Sequence, residues 1–394
     1  MRLVGTTVRG IRTPIIKEND DLASIVVDSV INASESEGFN FKDKDIIAIT
    51  EAVVGISEGN YVTVDNIVSD LNDKFPSKEI GIVYPILSRN RFSMILKAIA
   101  RAMNKVTILL SFPSDEVGNG IMDENLLSTS PFNLGSLISE EDYEKYFGTF
   151  IHPFTGINMV DYYRDLVKSE NCDVEFVFSN NPSDILKYTN NVLTCDIHSR
   201  FKTKKGLSEQ GAFVLSLSDI LNESVGGSGF NPDYGLLGSN KSTDERLKLF
   251  PKDGASLVLK IKDEMFKRTG KNFEVMVYGD GAFKDPVGGI WELADPVVSP
   301  FYTEGLKGTP NEIKLKYVSD NMFADLRGDE LKDAIKEEIK KKDNDLKGQN
   351  VSLGTTPRRI TDLVGSLCDL TSGSGDKGTP VVLVQGYFDN LADE

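Results

Sequence analysis

The 394-residue chain exceeds the roughly 250 to 300 residues that one hydrophobic core usually encloses, so two domains are expected. Sixty Asp and Glu against 44 Lys and Arg give a net charge of -16, which speaks against nucleic acid or an anionic membrane as the main partner. Only two histidines, His152 and His198, and three scattered cysteines, Cys172, Cys195 and Cys368, speak against zinc sites, disulfide frameworks and His-based catalysis.

The cysteine usage fits a reducing cytoplasm. The amino terminus lacks the apolar core of a signal peptide, and no run approaches the ~20 apolar residues of a membrane span. Residues 2–8 read as a first strand. Asp20 or Asp21 then caps an amphipathic helix through Leu22, Ile25, Val26, Ser29 and Val30. DIIAIT at 45–50 is a second strand, followed by EAVVGISEGNY, in which Glu58-Gly59 marks a turn. A helix over 65–75 ends before Pro76, and 79–84 is a third strand. Ser88 caps the next helix, whose apolar face holds Phe92, Ile95, Leu96 and Ile99. Its Arg89-Asn90-Arg91 start either grips a phosphate or carboxylate or is an ordinary basic surface. With a strand at 106–112, the first 112 residues alternate as one mixed α/β layer would.

From 113 the chain turns polar and then acidic, a loop before a short helix at 140–147. A helix over 159–168, a strand at 174–178 and a helix capped by Asn180-Asn181-Pro182-Ser183 follow. The strand at 192–197 carries Cys195 and Asp196 near His198, but alternation splits such a trio between two faces, leaving a core cysteine and a surface histidine. Arg200, Lys202, Lys204 and Lys205 form either an anion patch or a solvated loop, and 210–221 reads as helix. The glycine-rich stretch 225–240, VGGSGFNPDYGLLGSN, fits neither GxGxxG nor a phosphate loop ending in Gly-Lys-Ser/Thr; its Gly227 and Gly229 could still offer backbone N–H groups to phosphate.

An amphipathic helix over 253–269 stops at Gly270 and feeds the apolar run 275–278. That run ends at Gly279, Asp280 and Gly281, a carboxylate flanked by glycines at a strand's carboxyl end, where α/β sheets tend to bind ligands. Lys284, Asp285, Glu292 and Asp295 follow, with Trp291, the chain's one tryptophan. The plain alternative is a turn whose carboxylates are solvated or cap backbone N–H groups. Residues 321–345 read as one long charged helix, 357–370 as the last helix, and SGSGDKGT at 372–379, with Ser374 and Gly375, as a second glycine loop before the closing strand at 380–385.

Several of these segments resemble the γ-glutamyl ligase family that adds glutamate to the precursor of the deazaflavin coenzyme F-420. GIRTPIIKENDDLASIV is similar to the family's Pro-Leu-Ile-Lys-Glu-Gly-Asp-Asp-Leu opening, and DKDIIAITEAVVGISEGN to its next strand and Glu-Gly turn. FPKDGASLVLKIKDEMFKRTGKNFEVMVYGD is similar to its helix, Thr-Gly-Lys turn and acid-ended strand, and SGSGDKGTPVVLVQG to its closing glycine loop and strand. The chain departs from the family at three places. Leu237 stands where the Asn-Ala-Gly-x-Asp-Ala-Ser-Asn string has its aspartate, with Asp233 four residues away. Gly279-Asp280 stands for the family's Asp-Thr, and Ile56 where members often carry lysine.

The resemblance implies an α+β protein with a mixed-sheet ligase-like core built from both ends of the chain, 1–112 and 231–394, around an inserted α/β region, 113–230, with a charged helical arm near 321–345. It implies a ligase that uses GTP, or ATP, with Mg or Mn to join L-glutamate to a small carboxylate acceptor of deazaflavin or folate type, in a cytoplasmic homodimer. Asp280, Asp285 and Glu292 are the expected metal or phosphate-site acids. Lys284 and Arg91 are the expected phosphate-neutralising groups beside Asp280 in catalysis. Gly279, Gly281, Gly227, Gly229, Ser374 and Gly375 are expected to approach the nucleotide. The rival readings are a non-catalytic small-molecule-binding or regulatory protein on the same scaffold, which Leu237 favours, and another metal-dependent transferase or hydrolase.

Overall fold

A computed structural model describes residues 3–153, 155–280, 295–355, 358–372 and 376–393, together with the backbone of 283–284 and 291–292. The fold is α+β, with two main sheets that meet at a cleft.

The first sheet is mixed and runs Thr7–Ile11, Val381–Gln385, Ile46–Thr50, Glu274–Tyr278, Phe301–Tyr302. Its three central strands are nearly continuous apolar runs because both faces are covered. Alternation sorts the side chains. Ile47, Ile49, Val275, Val277 and Leu383 pack under the helices Leu22–Glu37 and Gly254–Thr269, while Ile46, Ala48, Met276, Val382 and Val384 meet Val364 and Cys368 of the helix Ile360–Ser372. Both flanking helices have legible ends. The Asp21 carboxylate accepts from the Ser24 N–H, and Gly38 and Gly270 terminate their helices with φ of 69° and 67°, a conformation glycine adopts without strain.

The second sheet has six strands in the order Ile138–Ser139, Asp173–Phe178, Lys105–Leu110, Glu79–Val83, Asn191–Thr194, Phe213–Ser216. All but the first are parallel. In chain order the parallel strands read 3-2-1-4-5, a doubly wound arrangement whose connections diverge between Glu79–Val83 and Asn191–Thr194. The helices Val64–Lys74, Phe92–Ala102 and Met159–Ser169 contribute to the core on one face, and Leu207 of Arg200–Ser208 to that on the other. A three-stranded sheet of Asn240–Thr243, Arg246–Lys248 and Tyr61–Thr63 completes the framework, and Phe283–Lys284 pairs with Trp291–Glu292.

Four expectations are corrected. The first 112 residues do not make one layer: Thr7–Ile11 and Ile46–Thr50 lie in the mixed sheet, whereas Glu79–Val83 and Lys105–Leu110 are completed by strands between residues 173 and 216. Segment 210–221 is not one helix: it holds the strand Phe213–Ser216 and a single 3-10 turn, Leu217–Asp219. Gly211, at φ 87°, turns the chain, and Phe213–Ser216 pairs in parallel with Asn191–Thr194, so tertiary pairing overrides a weak helical pattern. The charged stretch is not one long helix: its helical part is Gly328–Lys341, opened by Gly328 at φ 56°, and a separate first helix, Leu315–Asn321, ends where the stretch begins. Ile335 and Ile339 of the second pack on Val318 of the first, so that helix has a buried edge. The first strand starts at Thr7, and no helix among the described residues is long and apolar enough to cross a membrane.

Candidate active site

The parallel register of Tyr278 with Thr50 brings the carboxyl ends of two buried strands side by side, so Glu51 and Asp280 emerge at the same rim. They open into a cavity of about 1170 Å³ whose opposite wall, residues Ile86 to Arg91, follows the strand Glu79–Val83 of the parallel sheet. Each sheet therefore supplies one side of the cleft.

Arg91 crosses between them. It is set by Ser88, whose Oγ accepts from the Arg91 N–H at 2.8 Å and from the Phe92 N–H at 3.3 Å. Its Nη1 donates to Asp295 Oδ1 at 2.7 Å and its Nη2 to Asp280 Oδ2 at 2.8 Å, a guanidinium fork shared by two carboxylates. The other oxygen of Asp295 accepts from the Asp280 N–H at 2.8 Å. Gly279 is required here, since a Cβ would lie 2.3 Å from Asp295 Oδ2. Burial, and then repulsion from Asp295, push the Asp280 carboxyl up to about 7 against the opposing pull of Arg91. Burial alone would depress Arg91, but Asp295 and Asp280 outweigh it and hold the guanidinium more firmly protonated than usual.

A second buried ion pair lines the same cavity. Lys248 Nζ donates to Glu51 Oε2 at 2.6 Å, with side-chain exposures of 7% and 6%. The lysine comes from the three-stranded sheet and passes close over the helix Glu51–Ser57. There, a Cβ on Gly55 would lie 3.3 Å from Lys248 Cδ and 2.9 Å from the Leu249 carbonyl. Burial raises the Glu51 carboxyl above its ordinary range, with Lys248 opposing and Asp295 adding to the rise.

Of the expected site residues, Arg91, Gly279 and Asp280 converge in the cleft. Gly227 and Gly229 are not among its lining residues. Their loop is tied to the amino-terminal segment, with the Gly229 N–H on the Tyr61 carbonyl at 2.8 Å, and a Cβ on Gly229 would lie 2.5 Å from Asn60 Oδ1. That glycine serves a close approach within the protein. Gly281, Asp285, Ser374 and Gly375 lie outside the described residues, as do the side chains of Lys284 and Glu292. Leu237 is buried in the core at 2% exposure, and Asp233 is exposed and away from the cleft lining. Cys195 is buried and His198 exposed, as alternation implies. The turn residue Glu58 accepts from the N–H groups of Lys252 and Asp253, in front of the helix Gly254–Thr269.

Sequence reasoning gave no role to Glu51, Lys248 or Asp295. Glu51 carried the same signal as Asp280, an acid at the carboxyl end of a buried strand. Lys248 carried none, because its partner lies 197 residues away. Among the described residues no group of three or more His, Cys, Asp or Glu side chains is arranged to hold a metal ion. Asp280 and Asp295 already share Arg91, so these donors alone do not make a metal centre.

No curated protein matches the chain. A family model does, over residues 10–386, a span that takes in all but the first three residues of the two sheets and every described residue lining the cleft, and the chain accordingly belongs to the F420-0:gamma-glutamyl ligase family.

Proposed function

We propose that this cleft joins the amine of L-glutamate to the carboxylate of a small deazaflavin- or folate-like acceptor, using GTP or ATP supplied with Mg or Mn. Family membership supports the reaction class, and the observation that carries the placement is the Arg91 fork between Asp280 and Asp295 at the carboxyl ends of the mixed sheet. In this reading the acceptor carboxylate forms an O–P bond to the terminal phosphorus as the nucleotide's bridging P–O bond breaks. The glutamate nitrogen then bonds to the acyl carbon, the C–O bond to phosphate breaks, and the nitrogen sheds its proton.

The chain's own groups suit these demands. Arg91 presents a fixed positive charge to the transferring phosphoryl group and the departing phosphate. Asp280, with its carboxyl near 7, can take the proton from the attacking amine at neutral pH. Lys284, Asp285 and Glu292 are assigned on the family resemblance alone, and no step assigned to the described residues depends on a metal. A homodimer in the cytoplasm completes the proposal.

The test incubates the protein with glutamate, candidate acceptors and either nucleotide, with and without Mg or Mn, and detects the added glutamyl mass. Asp280→Asn should abolish product. Metal-insensitive ligation would remove the metal from the proposal, and wild-type protein that binds nucleotide or acceptor without product would select the binding-protein reading. Leu237 in the core and the cation already seated between the two acids are what favour that second reading.

A further inference from the structure

Lys248 and Glu51 are an unusual pair to find facing a cavity. Both are almost completely enclosed, and each is the other's charge partner at 2.6 Å. The ammonium of Lys248 has three N–H bonds, and Glu51 is its one hydrogen-bond acceptor among the described residues. The carboxylate of Glu51 likewise retains acceptor positions. Desolvating two charges costs more than a single contact between them usually returns, so a pair retained at a cavity wall is weak evidence for stability. Its charges instead face the space where the substrates must meet: Glu51 is close enough to Asp295 and Arg91 for their charges to act on its carboxyl.

We infer that Glu51 and Lys248 form the subsite for the zwitterionic head of the amino-acid substrate, Glu51 accepting from its ammonium and Lys248 donating to its α-carboxylate. The inference deepens the ligase reading and rests on it for the identity of the amino acid. An α-amino acid carries its two charges on groups joined to one carbon, and an adjacent acid and base of opposite order complement that arrangement. Paired with each other, the two side chains neutralise their charges. Substrate replaces one buried contact by two, without leaving either protein charge unpaired. Glu51 and Lys248 line the same cavity as Arg91, Asp280 and Asp295, which puts the amine in one space with the fork assigned to the phosphoryl group. Gly55 belongs to the same construction, because a side chain there would press on the Lys248 stem and the Leu249 carbonyl.

The experiment measures binding by calorimetry and saturation-transfer NMR to the full chain. The probes are L-glutamate, glutarate, which lacks the ammonium, and 4-aminobutyrate, which lacks the α-carboxylate. Wild type should prefer L-glutamate to either analogue by about 30-fold or more, the effect of leaving one buried charge unmatched. The double variant Glu51→Gln/Lys248→Met leaves no unpaired charge and should fold. It should lose about 30-fold in L-glutamate affinity and bind nucleotide within about twofold of wild type. Lys248→Arg should recover part of the loss. Failure of wild type to bind L-glutamate, equal binding of the three probes, or a folded double variant that binds glutamate normally would overturn the subsite, as would a loss confined to nucleotide. Selective glutamate binding with no acceptor ever ligated would instead overturn the ligase reading and leave the subsite standing. Ligation with an unchanged glutamate KM in the double variant would do the reverse.

Discussion

Replacing Asp295 by asparagine separates the electrostatic and steric roles of the Arg91 fork. In the native cleft both oxygens of Asp295 are engaged, one by Arg91 Nη1 at 2.7 Å and one by the Asp280 N–H at 2.8 Å, with the side chain 1% exposed. Asparagine keeps one acceptor and turns an NH2 group toward one of these two donors, so one contact becomes donor against donor. The fork also loses one of its two counter-charges. Breaking a buried ion pair from one side usually costs about 3 to 5 kcal/mol, and because Arg91 retains Asp280 we expect the lower end, about 3 kcal/mol. With a denaturant slope near 3 kcal/mol per molar, that moves the urea midpoint down by roughly 1 M.

The pH dependence adds an independent check. Asp280 titrates near 7 in the folded protein against an ordinary value of 3.8, so between those values the folded state binds more protons and native stability falls as pH rises. Repulsion from Asp295 is part of that elevation, so the variant should show a shallower fall. The stability gap between native protein and Asp295→Asn should accordingly be widest near pH 4 and narrow toward pH 7. Urea titrations at four pH values measure it. A gap that is constant or widens with pH would refute the assignment of Asp280 as the group elevated by its neighbour.

Gly279→Ala must push its methyl against Asp295 Oδ2 and should cost about 1 to 3 kcal/mol by thermal melting, while weakening nucleotide binding through the displaced carboxylate. Ser88→Ala removes the acceptor that serves the N–H groups of Arg91 and Phe92, and should cost about 1 kcal/mol in stability together with a measurable loss of nucleotide affinity by calorimetry. Lys248→Met alone strands Glu51 in an enclosed site and should destabilise by about 3 kcal/mol or more, whereas adding Glu51→Gln should restore much of the loss; denaturant curves of the two variants make the comparison.

How much of this was legible in the sequence depended on whether the determining contact was local. DIIAIT and EVMVY announce buried strands because both their faces are covered, which leaves continuous apolar runs, and each ends directly at or near an acid of the cleft. The Ser88 cap and Arg91 were also readable, since a capping hydroxyl and a helix-start arginine lie within one turn of each other. The pairing of Arg91 with Asp280 spans 189 residues and that of Lys248 with Glu51 spans 197, and neither leaves a trace in local spacing. Phe213–Ser216 is illegible for a related reason: a four-residue strand owes its conformation to the neighbour it pairs with, and the polar run before it is itself a helix, Arg200–Ser208. Gly227 and Gly229 drew attention as backbone suited to a ligand, but a glycine answers any close approach, and at Gly229 the approaching groups are Asn60 and Tyr61.

Because the two walls of the cleft are carried by separate sheets, their chemistries can drift independently. A change in the loop between Ile86 and Arg91 alters what the parallel sheet presents without touching the packing of Ile46–Thr50 or Glu274–Tyr278, and the converse also holds. The fork of Arg91 is the constraint on that freedom. Any drift that widens the gap must first give up both of its carboxylate bonds together, so the fork holds the spacing of the walls as a unit while the loops that face each other across it are free to change.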